Sequence, residues 1–320
     1  MSETSVAGEQ FGQYPPAKRT IIHLSDTHLL AGNVALGGRY DTETNLRRTM
    51  ERVVELDLTP DALVFTGDLT DLGEADAYSR LRRIVEPVAE RWGCPVAWVA
   101  GNHDERPALR SGLLGLDPTE DAVLGEWDLA GLRLLALDTS VPGWHHGELD
   151  DAQLEWLRDR LTEPAPLGTI LALHHPPLPS HVPLFGILEL QRQERLAEVI
   201  AGRNVRAILA GHLHYSTNGT FAGVPVSVAS ATCYTMDIAR PALSVNGMNA
   251  GQSFHLVHVY DDTITHSVVP LAGSADGDYF NPEWYRRMSA LTPAERLEGV
   301  SPQPRRNQAP GALLPVRPQV

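Results

Sequence analysis

The run Thr20-Ile21-Ile22-His23-Leu24-Ser25-Asp26-Thr27-His28 decides the fold. Its first six residues read as a buried strand, since a short, largely apolar run suits a strand covered on both faces. A carboxylate and an imidazole follow at once. The same plan recurs twice. Residues 62–66 form a second apolar run that ends at Gly67-Asp68, and residues 96–100 a third that ends at Gly101-Asn102-His103-Asp104. Between these runs the apolar period becomes helical: Leu46, Met50 and Val53 within 41–56, then Tyr78, Leu81, Val85, Val88 and Trp92 within 74–92. Strands alternating with helices predict an α/β fold with parallel pairing.

The rhythm continues less regularly. Residues 132–137, 169–173 and 206–210 read as strands, and 153–161 and 191–201 as helices. The pattern then turns antiparallel. A hairpin is expected over 219–228 around Gly223, and another joins 254–260 to 263–269 at Asp261-Asp262. Two sheets packed face to face, with helices outside each, are expected. Residues 1–19 read as a mobile lead-in, 20–270 as the folded domain and 271–320 as an extension rich in Gly, Pro and Ser. Its end, 301–320, holds five prolines and three arginines and no acid, so no regular structure is expected there. Its charge offers weak peripheral contact with an anionic membrane surface at most.

Composition bounds the function. With 320 residues, 42% hydrophobic and 21% charged, the chain is neither disordered nor a disulfide miniprotein. Lys+Arg is 26 and Asp+Glu 40, a formal charge of −14, which argues against gripping duplex nucleic acid. A phosphate-bearing substrate would then need a local positive charge, and a bound metal is the obvious source. Cys94 and Cys233 form neither a disulfide framework nor a thiolate site. No apolar stretch is long enough to span a bilayer, and the first twenty residues carry no secretory pattern, so a cytoplasmic enzyme is expected.

Five polar clusters each follow an expected strand: Asp26-Thr27-His28, Gly67-Asp68, Gly101-Asn102-His103-Asp104, His174-His175 and Gly211-His212-Leu213-His214. In open α/β sheets the carboxyl ends of the strands form one rim, where ligands bind. Each cluster alone reads equally as a turn, a cap or a satisfied loop pair. Together they predict a metal site of Asp, Asn and His, a donor set suited to Mn, Fe or Zn. The donors are too many for one open catalytic ion. Seven fit two ions sharing a carboxylate, the arrangement used to hydrolyse phosphate esters, with ions about 3.5–4 Å apart.

The ordered set Asp-x-His, Gly-Asp, Gly-Asn-His-Asp, His and Gly-His-x-His resembles the calcineurin-like metallophosphoesterases over residues 21–214. Longer stretches narrow the likeness: Leu24-Ser25-Asp26-Thr27-His28-Leu29, Phe65-Thr66-Gly67-Asp68-Leu69, Leu137-Asp138-Thr139-Ser140-Val141-Pro142-Gly143, Leu173-His174-His175-Pro176-Pro177 and Ala210-Gly211-His212-Leu213-His214-Tyr215-Ser216. They are similar to the bacterial class III cyclic-nucleotide phosphodiesterases, to about residue 270. The resemblance implies a four-layer α/β/β/α sandwich of two mixed sheets with the metal site at the strand C-terminal rim. It implies Asp26, His28 and His214 on one metal, Asn102, His174 and His212 on the other, and Asp68 bridging. His174 is chosen over His175 because it occupies the matched ligand position; periodicity does not decide. Iron with manganese is implied, with zinc as an alternative, and a homodimer.

The expected reaction is hydrolysis of 3′,5′-cyclic AMP, other cyclic nucleotides or small phosphodiesters, by a hydroxide shared between the metals attacking phosphorus. His103 is expected to bind the phosphate and protonate the leaving oxygen. His28, Asp68, Asn102 and His214 would also border the substrate. Asp71 and Asp104 are candidates to orient neighbours, and His145, His146 and Glu148 to line the entrance. His23, His255, His258 and His266 read as structural, and His181 carries no assignment. Competing readings are a glycerophosphodiesterase or broad phosphodiesterase/phosphomonoesterase on the same site, a non-catalytic protein-binding scaffold, and a DNA nuclease.

Overall fold

In the computed structural model, which describes residues 10–56, 58–241, 245–271 and 282–300, the opening run forms strand β1 (Arg19–Leu24). Its alternation divides the side chains between two cores. Ile21 faces a core between the sheets, while Ile22 and Leu24 face a core beneath helices. Helix α1 (Thr42–Val54) begins at Asp41, whose carboxylate accepts from the Thr44 N–H. Strand β2 (Ala62–Thr66) is buried throughout. Helix α2 (Ala75–Trp92) ends at Gly93 in the left-handed conformation, and β3 (Val96–Val99) follows.

Helix α3 (Arg106–Leu113) and strand β4 (Gly125–Leu129) appear where periodicity gave no element. The helix buries only Leu109 and Leu113, too few to register a period. The strand is half exposed and pairs antiparallel with β5 (Leu132–Ala136). Helix α4 (Asp151–Arg160), β6 (Thr169–Ala172), α5 (Gln193–Ile200) and β7 (Val205–Ala210) complete the second α/β half. The expected hairpin is β8 (Thr217–Phe221) with β9 (Val224–Val228). A short pair, β10 (Thr235–Met236) and β11 (Gly247–Met248), precedes the second hairpin, β12 (Ser253–Val259) with β13 (Ile264–Pro270).

One sheet runs β13-β12-β1-β2-β3 and the other β4-β5-β6-β7-β9-β8. Both are mixed, with β1, β2 and β3 parallel in the first and β5, β6, β7 and β9 parallel in the second. The apolar side chains form three buried clusters. One lies between the sheets, one joins α1, α2 and α3 to the first sheet, and one joins α4 and α5 to the second. This is the four-layer α/β/β/α sandwich that the resemblance implied.

The chain divides into two compact units, Lys18–Ala272 and a smaller one drawn from the two ends, Met1–Ala17 with Gly273–Val320. In the smaller unit, helices α6 (Pro282–Ser289) and α7 (Pro293–Val300) appear where sequence reading gave none. The Phe11 ring meets Tyr285 edge-on and lies beneath the Arg296 guanidinium. Residues 1–9 of the lead-in and the tail 301–320 lie outside the described residues. Among the described residues, no helix is long and apolar enough to cross a membrane.

Candidate metal centre

Parallel pairing brings the ends of β1, β2 and β3 to one rim, and those of β6 and β7 to another that meets it. Asp26 and His28 leave β1, Asp68 leaves β2, and Asn102 and His103 leave β3. His174 follows β6, and His212 and His214 follow β7. All seven expected ligands converge. Asp26, His28, Asp68 and His214 offer donor atoms within 4.8 Å of one another, and His174, His175 and His212 form an adjacent group. The backbone is strained to achieve this: Asp26, His28, Asp68, His212 and His214 all have positive φ, between 44° and 70°. Such conformations cost of order 1–3 kcal/mol each and persist where surroundings over-determine them.

The hydrogen bonds behind the rings fix which nitrogens face inward. His174 Nδ1 donates to the Thr66 carbonyl at 2.7 Å, so the neutral ring presents a lone pair on Nε2. That lone pair looks at Asn102 Oδ1 at 3.1 Å and Asp68 Oδ2 at 3.3 Å, both acceptors. His28 Nδ1 donates to Asp71 Oδ1 at 2.9 Å, leaving Nε2 facing Asp68 Oδ2 at 3.3 Å and His214 Nε2 at 3.2 Å. His214 Nδ1 donates to the Tyr234 carbonyl at 3.0 Å, so its Nε2 also points inward, 3.4 Å from Asp26 Oδ1. His212 Nε2 is buried with no partner. With the rings neutral, imidazole lone pairs and carboxylate oxygens thus converge, with the backbone N–H groups of His103 and His212 donating to Asp68 and Asp26, an arrangement that divalent metal ions satisfy.

The acid–base balance says the same. Burial works against charge on Asp68, yet His174 and His28 hold its carboxyl well below the usual range. Burial also opposes a charged His28, but the Asp68 and Asp71 carboxylates push it up to about 10. His174 rises to about 9 against burial, drawn by Asp68 and Asp26. Burial and the neighbouring His28 take His214 down to about 3, and burial with His174 takes His212 well below its ordinary value. Asp26 is pushed up to about 6, chiefly by burial. Without a metal, then, protons serve as the counter-charge and two imidazoles remain neutral ligands.

His175, the alternative to His174, is committed elsewhere: its ring meets Thr139 Oγ1 at 2.8 Å and the His145 carbonyl at 3.2 Å. Asp104 is buried and ties two loops together. It accepts from the backbone N–H groups of Leu69, Thr70 and Gly101, and from the Tyr78 hydroxyl at 2.9 Å. Burial and the nearby Asp68 raise its carboxyl to about 6 against these donors. Gly101 is required by close approach, since a Cβ there would overlap the Asp68 backbone and carboxylate. His103 is partly exposed; its Nδ1 donates to the Asp71 carbonyl at 3.0 Å and lies 3.4 Å from Asp71 Oδ1. Asp71 therefore touches both His28 and His103.

A cleft of about 490 Å³ opens over these groups. His28, Asp68, Asn102, His103, His212 and His214 form its floor, and His145 stands on its wall. Sequence reading missed its apolar walls: Leu184, Phe185 and Leu188 on one loop, with Tyr40, Tyr234, Met236 and Val245 elsewhere. Tyr40 and Tyr234 stack at 4.7 Å. These residues lie in a short helical turn, a loop and a two-residue strand, which carry no period to read. His146 and Glu148 are absent from this lining; Glu148 pairs with Arg192. Of the histidines read as structural, His255 bonds Ser216 and Ser227 and His23 bonds Thr66.

A sequence model of the calcineurin-like phosphoesterase family matches residues 19–216. The chain is 55% identical over 259 residues to a probable cyclic nucleotide phosphodiesterase of Rhodococcus erythropolis, covering 81% of this chain and 86% of that one. It is 49% identical over 279 residues to a cAMP/cGMP dual specificity phosphodiesterase of Mycobacterium tuberculosis, covering 87% and 88%. In fold it is similar to a dimetal phosphatase from Danio rerio, with a TM-score of 0.57, 17% identity and coverage of 80% of this chain and 97% of that one.

Proposed function

Because the chain belongs to the calcineurin-like phosphoesterases, we propose that it hydrolyses cyclic nucleotides, 3′,5′-cyclic AMP among them, at a centre of two metal ions. The observation that carries this reading is the convergence of inward-facing imidazole nitrogens on the Asp68 carboxylate and the Asn102 amide oxygen. Asp26, His28 and His214 would hold one ion, Asn102, His174 and His212 the other, and Asp68 both. Iron with manganese is the proposed pair. When bound, the ions supply Lewis acidity and positive charge for a phosphate ester in an otherwise acidic protein.

The chain's own residues do the rest. Asn102 and His103 line the cleft, where they would border the phosphate. With Nδ1 bonded to the Asp71 carbonyl, His103 keeps Nε2 for the substrate; as imidazolium it gives that proton to the leaving alkoxide. Asp71 orients both His103 and His28 through short contacts. The apolar walls suit an aromatic base, and they favour a nucleotide over a glycerophosphodiester.

The test is turnover of the manganese- and iron-loaded enzyme on cyclic AMP, cyclic GMP, glycerophosphocholine and a nucleoside monophosphate. Cyclic nucleotides should give the highest kcat/KM. A monophosphate or glycerophosphocholine preferred by tenfold or more would overturn the assignment.

A further inference from the structure

We propose that His145 is a positioning residue that fixes the amide of Asn102 and so sets the affinity of the second metal position. The inference rests on the two-metal reading above. A primary amide has two ends of similar shape and opposite chemistry, and only its partners decide which end points where. At Asn102 one end, Oδ1, lies 3.1 Å from the inward-facing His174 Nε2. The other end, Nδ2, lies 3.0 Å from His145 Nδ1. In this orientation Nδ2–H donates to the imidazole lone pair and the carbonyl oxygen is presented to the cluster. Rotated by half a turn, the amide would aim two N–H groups at the cations and place its oxygen against the ring.

An acceptor on a loose loop could not enforce the choice, but this loop is tied down. The His145 carbonyl takes a hydrogen bond from His175 Nε2 at 3.2 Å, and the other nitrogen of that buried ring meets Thr139 Oγ1 at 2.8 Å. Two residues on, Gly147 donates to the Glu189 carbonyl at 3.2 Å and accepts from the Gln191 N–H at 2.7 Å. The ring itself is exposed in the cleft, yet its backbone is fastened on both sides. His145 also borders His103, with ring centroids 5.2 Å apart, so the wall that holds the amide adjoins the proton donor.

The experiment is manganese binding to the full-length chain, followed by isothermal titration and by the electron paramagnetic resonance of free manganese, for three proteins. The wild type should take two ions. His145→Leu removes the acceptor and should weaken one of the two by about tenfold or more, with the other unchanged. His145→Asn returns an acceptor near the Nδ1 position and should restore the affinity to within about threefold, in keeping with a hydrogen bond rather than bulk. Circular dichroism checks that both variants fold. Two ions bound by His145→Leu as tightly as by the wild type would overturn the proposal. Equal losses in both variants would also overturn it, since the loop and not the acceptor would then be responsible. A wild type that takes fewer than two ions would remove the two-metal reading first, an outcome distinct from either.

Discussion

His103 stands next to a proposed metal ligand without being one, and its two nitrogens divide the work. Nδ1 is held by the Asp71 carbonyl, and Nε2 remains for the substrate. His103→Ala should therefore keep both metals while kcat falls by about 10²–10⁴-fold, the usual size of a lost general acid. Metal analysis alongside steady-state kinetics checks this, and full turnover by the variant would refute the role. Asp104 makes a different kind of demand. Five donors, three backbone N–H groups and the hydroxyls of Thr70 and Tyr78, converge on its buried carboxylate, and an amide there would set N–H against N–H. Asp104→Asn should cost about 3 kcal/mol of stability, read by urea denaturation. The residue types and their order were legible, because chemistry restricts which side chains bind a cation. The positive φ angles at Asp26, His28, Asp68, His212 and His214 were not, since Asp and His are enriched in that conformation but most of them do not adopt it.

Strand ends deliver the site, and the strands were the most readable elements. Expected and observed bounds agree at residues 62–66 because an apolar run with a glycine after it leaves little choice. Helix α3 and strand β4 escaped notice because each buries too little to show a period. The β1–β12 pair places His23 opposite His255, with rings 5.7 Å apart. Burial, and then the nearby His266, take His255 from 6.5 down to about 4. A histidine lowered on folding binds its proton more readily in the unfolded chain. Its contribution is therefore present above pH 6.5 and is lost as pH falls from there toward 4. The loss from His255 is about 3 kcal/mol. His255→Gln, which keeps polar contact with Ser216 and Ser227, should flatten the acid side of the stability profile measured by thermal melting from pH 7 to 4. An unchanged slope would show that β12 does not carry this acid sensitivity.

Across the whole molecule, three apolar cores hold two mixed sheets together and leave one rim for chemistry. The α/β alternation and the antiparallel finish made this architecture readable from sequence. The cleft walls were not readable, because Phe185, Tyr234 and Val245 meet only through tertiary packing. The formal charge of −14 leaves the proposed cations as the natural attraction for a phosphate. Binding to duplex DNA should accordingly be undetectable at physiological salt by fluorescence anisotropy, even with manganese present. The claim beneath all of this is that seven side chains, led by the shared Asp68, grip two ions. Anomalous diffraction from crystals soaked in manganese tests it most directly. The account predicts two peaks about 3.5–4 Å apart, one among Asp26, His28 and His214, the other among Asn102, His174 and His212, with Asp68 between. Saturated crystals with no peak at this rim, or with a single peak that leaves either group of three without an ion, would contradict it.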